Sequence, residues 1–447
     1  MSARHFTSPL WIAALGLSQL LPFASAQRGA AKSMPDTHWV ATWATAEQQA
    51  GGGRGGGRGP GGPAPAGAAA AAPAAAAPAP AAAPPGTLVN QTARMIIRTS
   101  IGGTRVRVEF SNAFGTTPLA MGSAHIAIRG QDSAIVAGSD RPLLFNGKPA
   151  ATVLPGAVLL SDPVDLVVPK LGDLAISVYV PGDSGRASQH SQALHTTYIA
   201  DGDTTAKADM ADARKTTAWY WISSVDVMAP ADAGAIVAFG DSITDGTTST
   251  VDANKSWPAL LSERLVANPA TANLSVLNLG IAGNRVLGDG AGISALARFD
   301  RDVLSQPGVK YLMILEGIND MNGAARATTG PPLTADDLIG AMKQMIERAH
   351  THGIKVIGCT LTPYGNATDA VEAMRQALNA FIRTPGAFDG MVDFDKVIQD
   401  PANPRQFRQG FNNTDKLHPN DAGYKAMADA VDLSMFAAKP AAAPARR

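Results

Sequence analysis

The chain has little of what several classes of protein require. Its single cysteine, Cys359, excludes an internal disulfide, and its apolar strand-like setting indicates an inert buried thiol. The eight histidines are scattered without metal-ligand spacing, so we expect no metal centre. Lysine plus arginine and aspartate plus glutamate each total 37, and this zero net charge argues against a nucleic-acid partner. Beyond the N-terminus no segment is long and apolar enough for a membrane helix, so we expect no stable membrane insertion.

The N-terminus has the layout of a secretory signal peptide. Arg4 is followed by an apolar segment over residues 10–23 and then by the small residues 24–26. The apolar segment is too short to span a bilayer. We therefore expect residues 1–26 to be a signal peptide that is cleaved near Ala26, with export to the periplasm or the medium.

Two segments have a composition that cannot form a hydrophobic core. Residues 51–86 are almost entirely glycine, alanine and proline, which predicts disorder. Strand-like sequence precedes this tract at residues 38–43 and resumes at residues 92–99, so we interpret the tract as an insertion in a loop of one domain. The tail at residues 438–447 is similar and is also predicted to be disordered.

The first half of the remaining chain has a β pattern. Charged and apolar residues alternate over residues 105–110, and turn residues separate further short apolar runs. This pattern predicts an antiparallel β-sandwich, or jelly roll, over residues 34–230. We interpret the polar segment that contains His190 and His195 as an ordinary surface loop, with a loop overhanging an active site as the alternative.

The second half has strands that alternate with helices. The apolar runs at residues 276–279 and 311–315 predict buried parallel strands. Thr334 is an expected N-cap of one helix, and the last helix is expected over residues 421–435. The pattern predicts an α/β domain over residues 233–437.

Four polar segments follow predicted strands or precede the last helix. Because the carboxyl ends of parallel strands meet at one edge of a sheet, we expect these segments to lie close together. They are Gly240-Asp241-Ser242, residues 278–284, residues 316–320 and residues 415–419.

These segments contain the residue types that acyl transfer needs. The hydroxyl of Ser242 is a poor nucleophile unless a general base lies within hydrogen-bond reach, and His418 can serve as that base. Asp415 can orient the imidazole and stabilise its positive charge. A negative oxygen in the intermediate needs fixed donors, which the N–H groups of Ser242 and Gly283 and the side-chain amide of Asn319 can supply.

Each of these features also has a simpler interpretation. Gly280 is an alternative to Gly283 as the donor, and the sequence does not separate the two. Taken singly, Ser242 can be a helix cap, Asn319 can stabilise a turn, and Asp415 with His418 can cap the last helix. A second Gly-Asp-Ser ends at Ser184, which we interpret as a loop residue.

The four segments, in this order, resemble the GDSL family of esterases, also named SGNH hydrolases, over residues 235–436. The resemblance implies a flavodoxin-like α/β/α hydrolase domain with Ser242 as nucleophile, Asp415 and His418 completing a catalytic triad, and Gly283 and Asn319 completing the oxyanion hole. Ile243 stands where the family name has leucine. The layout of the two halves also resembles exported bacterial arylesterases or acetylesterases associated with polysaccharide breakdown.

The sequence thus predicts a secreted serine esterase that needs no cofactor. We expect it to hydrolyse short-chain acyl esters, above all acetyl esters, through an acyl-serine intermediate, with a small molecule or a polysaccharide as substrate. One alternative is a lipase or lysophospholipase that prefers longer acyl chains. Another is a non-catalytic carbohydrate-binding protein.

Overall fold

Two kinds of secondary structure divide the chain into a β-rich part, residues 37–230, and an α/β part, residues 234–437. The computed structural model describes residues 37–50, 86–325 and 332–437. The predicted signal peptide, the Gly/Ala/Pro tract up to residue 85 and the tail after residue 437 lie outside the described residues. Every helix within the described ranges is too short or too polar to cross a membrane.

The β-rich part consists of antiparallel strands. Its larger sheets have the orders β1-β16-β4-β10, with β9 also paired to β4, and β14-β13-β3-β11-β6-β7, and smaller sheets are β15-β12-β2 and β5-β8. The strands are β1 (Thr37–Ala44), β2 (Gln48–Gln49), β3 (Val89–Arg98), β4 (Gly103–Ser111), β5 (Leu119–Met121), β6 (Ser123–Ile128), β7 (Arg141–Pro142), β8 (Ala151–Val153), β9 (Val158–Leu160), β10 (Val164–Val168), β11 (Asp173–Asp183), β12 (Ser188–His190), β13 (Thr197–Asp201), β14 (Arg214–Thr216), β15 (Trp219–Tyr220) and β16 (Ile222–Pro230).

The alternation predicted for this part is seen in β4. Val106, Val108 and Phe110 are fully buried, whereas Arg105 is exposed and Arg107 partly so. Period-two burial is the expected result when one face of a strand packs against a core. The β-rich character is therefore as predicted, and the sandwich arrangement stays a prediction.

The α/β part is built on one parallel sheet. Its strands are β17 (Gly234–Gly240), β18 (Leu274–Gly280), β19 (Val309–Leu315), β20 (Lys355–Cys359) and β21 (Gly390–Val392), and a hairpin follows with β22 (Gln399–Asp400) and β23 (Asn403–Phe407). The helices are α1 (Ser242–Asp245), α2 (Trp257–Ala267), α3 (Ala295–Phe299), α4 (Ile318–Ala324), α5 (Ala335–Thr351), α6 (Asp369–Arg383), α7 (Phe394–Ile398) and α8 (Asp421–Asp429), with a π-helical turn at Asp300–Leu304 and a 3₁₀ turn at Leu433–Phe436.

The order of the parallel strands is β18-β17-β19-β20-β21. This is the order 2-1-3-4-5 of a flavodoxin-like doubly wound sheet. Helix α2 packs with α8, whereas α5 packs with α3 and α6. The sheet therefore brings the carboxyl ends of β17, β18 and β19, the three strands that precede the predicted site segments, side by side.

The last helix is shorter than predicted. It ends at Asp429 instead of continuing to residue 435, and a separate 3₁₀ turn follows. The side chain of Asp432 accepts a hydrogen bond from the Ser434 N–H and so caps that turn. An aspartate at an N-cap position favours the start of a new helical turn over continuation of the preceding helix.

The β-rich part covers the free edge of β18. The Ser100 hydroxyl donates to the Val276 carbonyl at 3.0 Å and accepts from the Val276 N–H at 3.1 Å. The Ser275 hydroxyl donates to the Ala41 carbonyl at 2.6 Å. One hydrophobic cluster includes buried residues of both parts. An exposed strand edge invites pairing with other chains, and these contacts satisfy it within the chain.

We expect Ser100→Ala to lower the free energy of unfolding by about 1–3 kcal/mol, because it leaves a buried N–H and a buried carbonyl of Val276 without partners. Urea denaturation measures the change. The control is Thr116→Ala at an exposed loop threonine, for which a change within about 0.5 kcal/mol is expected. Equal losses in the two variants would contradict the role given to Ser100.

Candidate active site

The predicted nucleophile lies where β17 ends and α1 begins. Ser242 is the first residue of α1, and its side chain is buried so that the residue is only 6% exposed. Asp241 caps the helix by accepting a hydrogen bond from the Ile243 N–H at 2.9 Å. Gly240 is required by space, because a Cβ there would lie 2.3 Å from both the Leu315 carbonyl and the Thr244 hydroxyl.

Ser242, His418 and Asp415 form a continuous hydrogen-bonded chain. His418 Nε2 lies 2.8 Å from Ser242 Oγ, and His418 Nδ1 lies 2.5 Å from Asp415 Oδ2. The carboxylate can only accept, so Nδ1 carries the proton and Nε2 presents its lone pair to the hydroxyl. This is the tautomer that a general base for Ser242 requires.

The loop that carries His418 is tied to the loop that follows Ser242. The Thr250 hydroxyl and N–H both donate to the Asp421 carboxylate, at 2.6 and 2.9 Å. The Thr248 hydroxyl donates to the Pro419 carbonyl at 2.7 Å, and the Tyr424 hydroxyl donates to the Thr247 carbonyl at 2.7 Å. These contacts hold together two segments that are far apart in sequence.

Asp415 is held in its ionised form. Partial burial raises its pKa, but hydrogen bonds from the His418 ring and from the N–H groups of Leu417 and His418 outweigh this effect, so the pKa lies below its ordinary value. The two N–H groups donate to Asp415 Oδ1 at 3.0 and 3.1 Å. A charged, anchored carboxylate can orient the imidazole and stabilise its protonated form.

Three groups are the candidate donors to a negative oxygen: the N–H groups of Ser242 and Gly283 and the side-chain amide of Asn319. Gly283 has φ +81° and is the third residue of a turn closed by the Asn284 N–H and the Ile281 carbonyl at 3.0 Å, a position in a type II turn that requires positive φ. Among the described residues, neither the Gly283 N–H nor the Ser242 N–H has an acceptor. The Asn319 amide donates one proton to the Asn284 carbonyl at 2.9 Å and retains a second.

The alternative donor Gly280 is placed differently. Its N–H donates to the Asn278 side chain at 3.1 Å, and it pairs with Gly240 in the parallel sheet. A Cβ at Gly280 would lie 2.2 Å from the Asp245 nitrogen, so this glycine allows α1 to pack closely on β18. An N–H that is already bonded is a poorer candidate than the free N–H of Gly283.

A buried arginine joins three of the four site segments, and the sequence pattern gave no sign of it. Arg298 donates to the carbonyls of Gly240 and Leu279 at 2.9 and 2.8 Å, and to Asn284 Oδ1 at 2.9 Å. It also pairs with Asp302 at 3.0 Å. It thus fixes the ends of β17 and β18 and the turn that contains Gly283.

Two buried acids lie beside this arginine. Glu316 Oε2 is 3.8 Å from Arg298, and both of its oxygens lack a hydrogen-bond partner among the described residues. Burial raises the pKa of Asp241 to about 7, and repulsion by Asp320 and Asp245 adds to the effect. Burial also raises the pKa of Glu316 well above its ordinary value, and repulsion by Asp241 adds to it. Both carboxyl groups are therefore held protonated in a pH range in which exposed acids are ionised.

Asp320, which follows Asn319 in the chain, contacts the segment after the Gly283 turn. It accepts from the N–H groups of Val286 and Leu287 at 2.8 and 3.0 Å. Ser184 accepts from the Leu88 N–H at 3.0 Å in the β-rich part, and its loop role is consistent with that contact.

The prediction of a surface loop around His190 and His195 is wrong. Both histidines are buried, because His190 bonds to Ala46 and Asp245 and the His195 ring stacks on Trp219 at 5.7 Å. The polar sequence predicted exposure, but the segment is packed inside the protein, where His190 has hydrogen-bond partners on both ring nitrogens. In the described ranges no group of three or more histidine, cysteine or acidic side chains is arranged to hold a metal ion.

A doubly wound parallel sheet with a Ser–His–Asp chain at its carboxyl edge is an arrangement that can support hydrolysis by a serine nucleophile. The family model for the GDSL-like Lipase/Acylhydrolase matches residues 236–431. Residues 236–431 therefore form a GDSL-like lipase/acylhydrolase domain, and the protein is a carboxylic ester hydrolase, as the sequence predicted. No curated protein matches the chain.

Several solved structures are similar to the α/β part. One is a lipolytic protein of the G-D-S-L family from Desulfitobacterium hafniense DCB-2, with 24% identity over 44% of this chain and 95% of that chain and a TM-score of 0.34. Another is a variant of the acetyl xylan esterase Axe2 from Geobacillus stearothermophilus, with 20% identity, 46% and 96% coverage and a TM-score of 0.37. A third is LAE5, an α/β hydrolase from the metagenome of Lake Arreo, Spain, with 23% identity, 45% and 94% coverage and a TM-score of 0.36.

The raised pKa of Glu316 predicts how the free energy of unfolding changes with pH. The folded state keeps a proton that the unfolded state loses near pH 4, so this stabilisation is complete below that pH and is lost as pH rises through the folded-state pKa. Glu316→Gln is neutral at every pH. We therefore expect its urea midpoint to fall less than that of the wild type between pH 5 and pH 9.

The control for this comparison is Glu347→Gln, at an exposed glutamate of α5. Its urea midpoint is expected to follow the wild type across the same pH range. A Glu316→Gln curve that runs parallel to the wild type would show that the buried carboxyl is not the source of the pH dependence.

Proposed function

We propose that this protein is a serine esterase in which Ser242 is the nucleophile, His418 the general base and Asp415 the residue that orients it. The observation that carries the proposal is the 2.8 Å separation of His418 Nε2 from Ser242 Oγ, with Asp415 on the other ring nitrogen. The match of the surrounding segment to the GDSL-like family supports it.

The geometry supports a two-step acyl transfer. Ser242 Oγ attacks the ester carbonyl carbon while its proton moves to His418 Nε2, and Asp415 stabilises the imidazolium that forms. Collapse of the tetrahedral intermediate breaks the bond to the alcohol oxygen, which takes the proton from His418. Water then attacks the acyl-serine in the same way, with His418 as base, and releases the carboxylic acid and free Ser242.

The intermediate's negative oxygen needs donors that are in place before the reaction. We assign the N–H groups of Ser242 and Gly283 and the free amide proton of Asn319 to this role. The two N–H groups have no other acceptor among the described residues, and Asn319 is fixed by its bond to the Asn284 carbonyl. Removal of one such donor typically costs about 10²–10³ in rate.

The proposed substrates are short-chain acyl esters, with acetyl esters of a polysaccharide as the leading candidate. The segment from residue 280 to 292 contains five glycines and few large apolar side chains, so it offers little surface for a long acyl chain. A Cβ at Gly288 would meet nothing within 4 Å, which indicates open space. Export, which the proposal includes, rests on the signal-peptide pattern of residues 1–26.

We expect Ser242→Ala to abolish hydrolysis of 4-nitrophenyl acetate and labelling by a fluorophosphonate, with an unchanged melting temperature. The matched control is Ser184→Ala, in the second Gly-Asp-Ser of the chain, which should retain wild-type kcat and labelling. Activity that survives in Ser242→Ala would remove Ser242 from the mechanism. A wild-type protein that neither hydrolyses the ester nor reacts with the probe would favour a non-catalytic binding protein.

The acyl preference is tested with 4-nitrophenyl esters of two to twelve carbons and with natural substrates. We expect kcat/KM to be highest for acetate and to fall by more than about tenfold, or 1.4 kcal/mol in transition-state stabilisation, for the longest chains. Acetate release from acetylated xylan or pectin should exceed hydrolysis of triglyceride or lysolipid. The opposite order would favour a lipase or lysophospholipase.

A further inference from the structure

We propose that Asp245 and His190 are positioning residues that hold the oxyanion loop, residues 281–284, in its reactive geometry. This role rests on the proposed function, because it concerns the donor that Gly283 contributes. His190 belongs to the β-rich part, so the inference also gives that part a direct effect on the rate of the chemical step.

Both oxygens of the Asp245 carboxylate are used, and the side chain is almost fully buried. Oδ2 accepts from the Ala282 N–H at 3.0 Å, and Oδ1 lies 3.0 Å from His190 Nε2. Asp245 is the last residue of α1, the short helix that begins with Ser242. One carboxylate therefore connects the helix of the nucleophile to the loop of the expected oxyanion donor.

The contact between Asp245 and the Ala282 N–H restrains the orientation of the Gly283 N–H. Ala282 immediately precedes Gly283, so an anchored Ala282 N–H limits rotation of the peptide that carries the Gly283 N–H. The Asn284 carbonyl, which accepts from the Asn319 amide at 2.9 Å, belongs to the same turn. A shift of this turn would therefore move the Gly283 N–H and the Asn319 amide away from the oxyanion at the same time.

His190 fixes the carboxylate from the opposite side. Its Nδ1 lies 2.8 Å from the Ala46 carbonyl, which can only accept, so Nδ1 carries a proton. Nε2 faces Asp245 Oδ1, and a lone pair there would repel the carboxylate, so a second proton lies between the two groups. The geometry thus requires a shared proton in a buried pair.

The surroundings of His190 favour this protonated pair. Burial lowers the pKa of His190, but the charge and hydrogen bond of Asp245, together with the carbonyls of Ala46 and Gln192, outweigh burial and raise the pKa above its ordinary value. The Trp219 ring lies 5.7 Å away and covers the imidazole. A buried carboxylate that is paired and hydrogen-bonded is well suited to hold a loop rigidly.

The test compares Asp245→Ala with Asp245→Asn. The alanine variant releases the Ala282 N–H, and we expect kcat to fall by about 10- to 100-fold with KM changed less than about threefold, because the lost alignment matters most in the transition state. In the asparagine variant the amide oxygen can accept from Ala282 and the amide nitrogen can donate to neutral His190. We therefore expect it to recover most of the lost kcat.

The rates are normalised to active sites by end-point titration with a fluorophosphonate, so that a loss of folded protein does not count as a loss of kcat. A normal kcat per active site in Asp245→Ala, with only a lower melting temperature, would overturn the inference and leave a structural role. An equal loss of kcat in Asp245→Asn and Asp245→Ala would also overturn it. A wild-type protein without esterase activity would instead overturn the proposed function itself.

The contribution of His190 is tested by a double-mutant cycle. We expect His190→Ala to lower kcat about tenfold or more in the wild-type background and to have a clearly smaller effect in the Asp245→Ala background, because no carboxylate remains there for His190 to act through. Additive effects would overturn this route. The matched control is His125→Ala, which removes another histidine of the β-rich part, paired with Asp140 at 2.9 Å, and should leave kcat unchanged. If Asp245→Ala does not fold, kcat per active site in His190→Ala decides the question, and an unchanged value would overturn the inference.

Discussion

The contact of His418 Nε2 with Ser242 Oγ at 2.8 Å is the interaction on which the rest of the site depends. Its two residues come from opposite ends of the α/β part, and neither lies on a rigid strand. The contact exists because Thr250 and Tyr424 tie the two loops together with short hydrogen bonds. The Asp415 carboxylate accepts a hydrogen bond from His418 Nδ1–H and so leaves Nε2 free to accept a proton. The triad is thus a property of two joined loops rather than of three isolated side chains.

The buried charges below Ser242 favour the chemistry in a second way. Arg298 is fully buried, but all the groups it contacts are acceptors, so the cost of removing it from water is offset by hydrogen bonds. Asp241 and Glu316 have raised pKa values and are held protonated over much of the range in which exposed acids are charged. Negative charge therefore does not accumulate directly below a site that must stabilise a negative oxygen. Arg298, whose charge is balanced by Asp302, and the two neutral acids therefore add no net negative charge near the proposed oxyanion donors.

The sequence identified the candidate residues Ser242, His418 and Asp415, which the structure brings into contact, but not the residues that hold them in place. Strand ends meet at one edge of a parallel sheet, so polar residues after the strands and before the last helix predicted a common site. The resemblance of the four segments to the GDSL family then predicted the hydrolase class. Arg298 lay in no motif, since its partners are mainly backbone carbonyls whose positions follow from the fold. His190 was misjudged for a related reason: polar neighbours suggested exposure, whereas its partners, Ala46 and Asp245, lie far from it in the chain. Helix boundaries are limited in the same way, since α8 ends at Asp429, before the predicted residue 435.

The β-rich part supplies groups that the α/β part needs and does not contain. Strand β18 is an edge strand whose Val276 peptide groups find partners in Ser100, and Asp245 finds the partner of one oxygen in His190. Without these contacts a strand edge and a buried carboxylate oxygen would be left unsatisfied, and each would lower stability. The predicted domain boundary between residues 230 and 233 therefore marks a change of architecture, but the two parts still depend on contacts with each other. A buried His–Asp pair at this junction couples the packing of the β-rich part to the geometry of the oxyanion loop, so substitutions far from Ser242 in sequence can act on the transition state.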